Sequence, residues 1–451
     1  MASICTSNVT SAFIDLATFD EIEKYLYGGP DATAYFVRET RKSTWFSQVP
    51  VVLSRASGSP GFGQEWSVSI SRAGDYLLHT WLRVQLPSVV LVNDQVNTNN
   101  QLRWTRNLMH NLVRECCITF NDLVAARFDN YHLDFWAAFT VPAGKQNGYE
   151  NMIGNTPVLT SPAQPGAALP AATLNLPLPF FYTRDSGVAL PTAALPYNEM
   201  RINFSFRDWE DLLIMEDHTL ATEQRKNITV GTNVAAAPVL GVSQVWANYA
   251  IVSNDERKRM ACAPRDILIE QVQTAPRQTF APATNAQPSY DVRFSHAIKV
   301  LFFAVRNTTW RSEWSNYLTQ SPEASAGAVD FTPAGSADPI GQTSLIYENT
   351  NRLAQMGSDY FSLVNPWYHA PVIPEETGFH MYSYSLDFMC LDPMGSTNYG
   401  KLTNVSMVPE ASAGAVTAAE QDVKQTFEFI VTAVNNNIVR ISGGALGFPV
   451  L

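Results

Sequence analysis

The sequence predicts an all-β protein built of two consecutive antiparallel domains, and three observations carry that expectation. First, strictly alternating apolar and polar residues recur in both halves of the 451-residue chain. Ile202, Phe204 and Phe206 alternate with Arg201, Asn203, Ser205 and Arg207, and Tyr382, Tyr384, Leu386 and Phe388 alternate with Ser383, Ser385 and Asp387; a period of two puts each apolar set on one face of a strand. Second, sandwich-type domains run to about 200–250 residues, so the length accommodates two. Third, 46% of residues are hydrophobic and 11% aromatic, enough bulky side chain to fill two wide cores.

The elements follow in order. Thr18-Phe19-Asp20-Glu21 fits a helix capping box, Phe19, Ile22, Tyr25 and Leu26 supply an apolar face, and Gly28-Gly29 would stop the helix. Residues 1–29 are therefore expected to form an amphipathic N-terminal segment ahead of the first strand. Trp66, Val68 and Ile70 alternate with Ser67, Ser69 and Ser71, and Arg72-Ala73-Gly74-Asp75 turns the chain into a strand over 76–86. Gly58, Gly61 and Gly63 are expected in a turn rather than a phosphate loop, because no Lys-Ser/Thr and no helix signal follow them. A strand is predicted over 200–207. A polar stretch at 216–233 then divides the chain into a first domain, 30–215, and a second, 216–451. A short helix is predicted over 255–261 with Asn254 as its cap, and Phe427, Phe429 and Val431 mark a late strand. Stretches rich in Pro, Ala, Gly and Ser at 142–179, 321–341 and 408–420 are expected as long loops. The octapeptide Pro-Glu-Ala-Ser-Ala-Gly-Ala-Val occurs at 322–329 and again at 409–416, and both copies are expected as exposed loop tips.

Charge bounds the function. Only 16% of residues are charged, against about 25% in an average soluble domain; interface-forming surfaces and β-rich composition account for this equally well. With 30 basic against 41 acidic side chains the net charge is −11, which disfavours direct binding of nucleic acid. The densest basic run, Arg257-Lys258-Arg259, follows Asp255 and Glu256 within a Debye length of about 8 Å, and fits a solvated helix face. Five cysteines show neither metal nor disulfide spacing and are expected as mostly buried thiols in a reducing compartment. No secretory signal and no run of about 18 apolar residues is visible, so synthesis in the cytoplasm is expected and the Asn-x-Ser/Thr matches at Asn8, Asn227, Asn307 and Asn404 are taken as incidental.

No catalytic chemistry emerges. Asp185-Ser186-Gly187 has the letters of an aspartic-protease triplet but no second copy and no apolar run ahead of it. Glu375 and Glu376 are adjacent, so on an extended segment they point apart and cannot converge as a catalytic pair. The seven histidines lack ligand spacing. No catalytic, cofactor-binding or metal-binding residue is expected, and no cofactor.

The segment Pro177-Leu178-Pro179-Phe180-Phe181-Tyr182, followed by Asp185-Ser186-Gly187-Val188-Ala189-Leu190-Pro191 and Leu195-Pro196-Tyr197-Asn198-Glu199, resembles the motif that closes the first jelly roll of large DNA virus capsid proteins. Asn254 to Met260 running on to Gln271 is similar to that family's entry into its second barrel. Gly395-Ser396-Thr397-Asn398-Tyr399, continuing to Asn404, is similar to its Gly-Ser-x-Asn-Tyr/Phe motif, and Asn437 to Ile441 with Gly443-Gly444 and Gly447-Phe448-Pro449 to its closing strand. The N-terminal run Val9 to Thr18 with Leu26-Tyr27-Gly28-Gly29 is similar to iridovirus major capsid proteins, in particular those from fish.

The resemblance covers the whole chain and implies a double jelly roll, with Pro177, Pro179, Phe180, Asp185, Gly187, Leu190, Pro191, Tyr197, Asn198, Glu199, Gly395, Ser396, Asn398 and Asn404 as structural motif residues. It further implies homotrimers that act as pseudo-hexameric capsomers of an icosahedral virion and meet minor capsid and penton proteins. Assembly would take place in the host cytoplasm. The N-terminal segment, through Phe19, Ile22, Tyr25 and Leu26, is expected to lie under the shell against a smaller capsid protein or the inner viral membrane or its proteins. The segment has only Lys24 against Asp20, Glu21 and Glu23, which favours the protein partner. The competing expectation is a carbohydrate-binding or carbohydrate-cleaving jelly-roll protein.

Overall fold

The computed structural model describes residues 2–18, 20–22, 30, 36, 38–161, 166–217, 219, 225–319, 337–420 and 424–449, the side chains of 2–8 and 95 apart. It divides into two compact units, 1–45 and 46–451. The first unit holds helix α1 (Ala2–Ala17), a run without Gly or Pro. The Thr18 hydroxyl donates to the Asp15 carbonyl at 2.6 Å, so it closes this helix instead of capping a later one. Glu21 and Ile22 lie in a turn, where Asp20 accepts from the Ile22 amide at 3.0 Å, and Ile22 is exposed. The helix thus precedes the position expected for it, and Phe19, Tyr25 and Leu26 fall outside the described residues.

The second unit is dominated by strands. Its first part contains β1 (Phe46–Val52), β2 (Ser54–Gly58), β3 (Glu65–Ser69), β4 (Tyr76–Leu86), β5 (Asn100–Trp104), β6 (Val113–Phe120), β7 (Leu123–Asp129), β8 (Ala172–Pro177), β9 (Met200–Phe206), β10 (Leu213–Asp217) and β11 (Ser243–Val252). Its second part contains β12 (Arg265–Thr274), β13 (Ala297–Asn307), β14 (Ile340–Tyr347), β15 (Thr350–Gly357), β16 (His380–Ser383), β17 (Val405–Ala411) and β18 (Phe427–Ser442). Between them run α2 (Leu108–Leu112), α3 (Asn130–Thr140), α4 (Ala143–Ile153), α5 (Asn254–Cys262), α6 (Asn365–His369) and α7 (Ala413–Glu420).

Two antiparallel sheets, ordered β1-β11-β4-β8 and β2-β3-β9-β6-β7, face each other across a first core. In β9 the alternation is realised: Ile202, Phe204 and Phe206 are buried and the residues between them half-buried. The second pair of sheets, β12-β18-β13-β16 and β17-β14-β15, encloses another core around Leu301, Phe303, Phe429 and Met407. Strand β11 lies beyond the polar stretch at 216–233, yet pairs with β1 and β4 of the first part.

Several expected loops are ordered elements. The stretch 142–179 holds α4 and β8. The 409–416 octapeptide ends β17 and starts α7, whose Ala415 and Ala418 are buried; small side chains here allow close packing of backbone instead of marking a solvent tip. The 322–329 copy lies outside the described residues. Alternation at 382–388 fails after Ser383, where β16 ends and Leu386 becomes exposed. The predicted short helix is present as α5, with Ser253 rather than Asn254 at its N-cap.

Phe204 stacks on Trp66 with centroids 4.9 Å apart and is 2% exposed. Phe204→Asp would place an unpaired carboxylate in the core and is expected to abolish folding, whereas Phe204→Ala is expected to cost about 3–5 kcal/mol. Near-ultraviolet circular dichroism and thermal melting check this, and a native-like Phe204→Asp would show that the strand has been assigned to the wrong face.

Candidate functional site

Among the described residues, polar groups concentrate at the seam where the first part of the 46–451 unit meets the second. Helix α3 is responsible for its apolar portion. Asp129 caps it by accepting from the His132 amide at 3.0 Å, and Tyr131, Phe135 and Phe139, four residues apart, form one stripe. That stripe lies on the outer face of the second core's sheet, against Val300, Phe302, Ala304, Met381 and Ile430. Phe302 stacks on Phe139 at 5.4 Å and on Phe135 at 5.8 Å.

Strand β13 is consequently buried on both faces. Leu301, Phe303 and Val305 enter the second core, and Val300, Phe302 and Ala304 meet α3. A register shift between Ile298 and Val300 inserts Lys299 as an extra residue, which returns Ile298 to the second core. The Lys299 ammonium, fully buried, donates to Glu270 at 2.5 Å and to the Cys390 carbonyl at 2.7 Å. Glu270 also pairs with Arg184, whose guanidinium lies 3.7 Å over the Trp136 ring of α3. Burial, with Arg184 adding to it, lowers the His132 imidazole to about 3 and so holds it neutral.

A hook formed by Trp310-Arg311-Ser312-Glu313-Trp314-Ser315-Asn316-Tyr317 supplies the rest. Glu313 pairs with both Arg103 and Arg225, and Glu216 pairs with the same two guanidinium groups at 2.8 and 3.1 Å. Burial alone would raise the Glu313 carboxyl, but the two arginines bring it from 4.5 down to about 2. The Arg207 and Arg306 guanidinium groups lie over the Trp314 ring at 3.5 and 4.3 Å from its centroid, and its indole donates to the Asp211 carbonyl at 2.9 Å. Asp134 of α3 accepts from Ser315 at 2.9 Å and Tyr317 at 2.8 Å, and bonds His110 at 2.8 Å.

The expected motif residues serve straps and turns. Pro177 ends β8 opposite Trp81, Pro179 is half-buried, and Phe180 is buried against Phe128 at 5.2 Å. Asp185 and Gly187 are exposed in a short helical turn, after which Leu190 and Pro191 pair with Leu77 and Tyr76 of β4. Tyr197 is exposed, Asn198 buried, and the Glu199 amide donates to Asn121 at 2.7 Å. Gly444, at φ 81°, packs so close to Tyr197 that a Cβ would sit 2.8 Å from its ring, joining two motifs distant in sequence. Gly395, at φ 122°, would bring a Cβ within 2.7 Å of the Tyr384 carbonyl. Ser396 is exposed, Asn398 accepts from the Gly400 amide at 3.0 Å, and the Asn404 amide donates to Glu348 at 3.2 Å.

The buried His380 cluster does not have the geometry of a nucleophilic triad. Ser358 and Asp338 both bond the Nε2 of fully buried His380, at 2.6 and 2.9 Å, while its Nδ1 has no partner. A nucleophilic triad instead holds the carboxylate and the hydroxyl on opposite ring nitrogens. Glu376 is paired with Arg106 beside a cleft of about 170 Å³, and Asp185 is exposed. Among the described residues no three His, Cys, Asp or Glu side chains gather as metal ligands. Of the described cysteines Cys116 alone is buried, which corrects the expectation of mostly buried thiols.

A family model described as large eukaryotic DNA virus major capsid protein matches residues 256–447, and one described as major capsid protein N-terminus matches 34–252. The major capsid protein of Costelytra zealandica iridescent virus is 67% identical over 462 residues, covering 100% of both chains. The chain belongs to the iridovirus major capsid proteins. The protein of Invertebrate iridescent virus 6 is 66% identical over the full length of both, so the N-terminal likeness to proteins from fish viruses does not single out that branch. Among solved structures, the PBCV-1 virus capsid model superposes with TM-score 0.73 over 93% of this chain and 100% of that one at 19% identity. The Faustovirus major capsid protein does so with TM-score 0.72 over 94% and 95% at 11% identity. These likenesses establish the fold of the capsid protein as a double jelly roll.

The seam residues Arg103, Glu216, Arg225 and Glu313 had no local sequence pattern, because charges from distant strands meet only after both jelly rolls form. Glu313→Gln strands two buried guanidinium groups on one carboxylate and is expected to cost about 3 kcal/mol. Because the folded-state pKa of Glu313 is depressed, its contribution is complete above pH 4.5 and is lost as pH falls toward 2. Denaturant unfolding across that window should show the Glu313→Gln variant less stable at neutral pH and flatter with acid; equal stability at pH 7 would contradict the assignment.

Proposed function

We propose that three copies of this capsid protein associate into a homotrimer with a pseudo-hexagonal outline, which tiles the icosahedral shell of a large DNA virus as a structural block without catalysis. The observation that supports this reading is the seam: hydrophobic stripe, stacked tryptophan and buried ion cluster join the two jelly rolls within the compact unit 46–451. A block with two similar lobes yields six lobes per trimer, as a hexagonal tile requires. We place the boundary between the lobes at 253–264, because β11 pairs into the first sheet and β12 with β18.

Further contacts belong to the same reading. Trimers meet one another, and penton and minor capsid proteins complete the shell, assembled in the host cytoplasm. Residues 1–29 lie beneath it, against a minor capsid protein in preference to the inner membrane. The net charge of −11 suits a coat that does not touch the genome directly.

Native mass spectrometry tests this. The expected species is three times the 49.9 kDa chain. Deleting residues 1–27, in a unit separate from 46–451, is expected to leave the trimer intact and to impair formation of shells. A persistent monomer that binds sugar would overturn the reading in favour of a carbohydrate-binding jelly roll.

A further inference from the structure

The outer face of the sheet β1-β11-β4-β8 carries an apolar row that crosses every strand. Val52 pairs opposite Trp246, Trp246 opposite Trp81, and Trp81 opposite Pro177. Leu82 and Val84 of β4, and Val245 and Ala247 of β11, enter the first core, so alternation turns Trp81 and Trp246 outward. Their rings stack at 6.2 Å with planes 11° apart. The Trp246 indole N–H is shielded from solvent and has no hydrogen-bond partner. Amides flank the row: Asn248 donates to Gln48 at 3.1 Å, and Gln244 and Asn175 lie in the next register. Among the described residues, these four strands carry one charge, Arg83. An aromatic centre, an amide rim and depleted charge are the composition of an interface core, and not of a surface facing water.

The second jelly roll presents a patch of different shape. Trp367 is 71% exposed and Tyr368 73%, beside exposed Val364 and Leu386. The His369 Nδ1–H donates to the Leu386 carbonyl at 3.0 Å, tying α6 to the loop that follows β16. That loop adds exposed Asp387 and Asp392.

We propose that the Trp81–Trp246 face of one copy receives the Trp367–Tyr368 knob of a second copy. The proposal rests on the trimer reading and deepens it by naming the mating surfaces. A closed ring of identical subunits uses a heterologous contact, which needs two unlike patches on each subunit. The flat face lies on the first jelly roll and the knob on the second. Their charges are complementary, Arg83 on the flat face and Asp387 with Asp392 around the knob. A single foreign partner would cover one patch and leave the other bare.

Sedimentation of the full-length protein over a dilution series tests this, with Trp81→Glu, Arg83→Glu, and Arg83→Glu combined with Asp387→Arg and Asp392→Arg. Trp81→Glu is expected to stay folded, since the inner face is untouched, and to raise the concentration for trimer dissociation at least about 30-fold. Arg83→Glu is expected to weaken the trimer, and the charge-swapped combination to restore it. Should Trp81→Glu fail to fold, the Arg83 series decides alone. A trimeric wild type whose variants dissociate no more readily overturns the proposal and leaves the trimer standing. A monomeric wild type removes both. A wild type that binds glycan through this face, with trimer mass indifferent to Trp81→Glu, overturns it as a sugar platform.

Discussion

The architecture depends on one contact, the stripe Tyr131–Phe135–Phe139 of α3 seated on Val300, Phe302 and Ala304 of β13. A jelly-roll strand normally faces its own core on one side and water on the other. Here β13 is apolar on both sides, and the second side is satisfied only when the first jelly roll supplies its helix. Truncating a buried phenylalanine costs about 3–5 kcal/mol, so Phe135 and Phe139 together outweigh any single polar contact across the seam. The 16-residue strand β18 extends the same logic: Phe429 and Val431 serve the second core, Ile430 and Val434 the seam, Val439 and Ile441 the first core.

Apolar contact brings the two jelly rolls together, and the buried charges restrict how they meet. Taking Arg103, Arg225, Glu216 and Glu313 out of water is costly, and such clusters contribute little net stability compared with well-packed apolar groups. Their geometry is demanding, however: Glu313 must reach two guanidinium groups from another part of the chain, and Lys299 must find Glu270 at its bulge. A slipped arrangement would strand these charges. For a capsid protein made in many copies that specificity matters more than stability, because an error in the angle between the two jelly rolls would recur in every copy.

Much of the fold was legible in alternation. A period of two marked the strands over Glu65–Ser69, Tyr76–Leu86 and Met200–Phe206; burial follows it strictly in the last, while Ser67 in the first and Leu78 in the second are buried as well. Alternation was silent or misleading where a strand is buried on both faces, as in β13, and where it ends early, as at Ser383 before Leu386. Helix α3 did announce itself, through Asp129 ahead of Tyr131, Phe135 and Phe139 at intervals of four, but the β pattern around it masked the signal. The hook at 310–317 showed only as a dense run of Trp and Tyr among polar residues. The Ala/Gly/Ser octapeptide misled because small residues serve tight packing in α7 as readily as they serve loops.

Native-state hydrogen exchange of the α3 amides, from Leu133 to Phe139, tests the seam most directly. If α3 holds the two jelly rolls as one body, those amides should exchange as slowly as those of β13, through global unfolding. Exchange in α3 that runs well ahead of β13 would mean that the jelly rolls separate in the folded protein, and the rigid block would have to be given up.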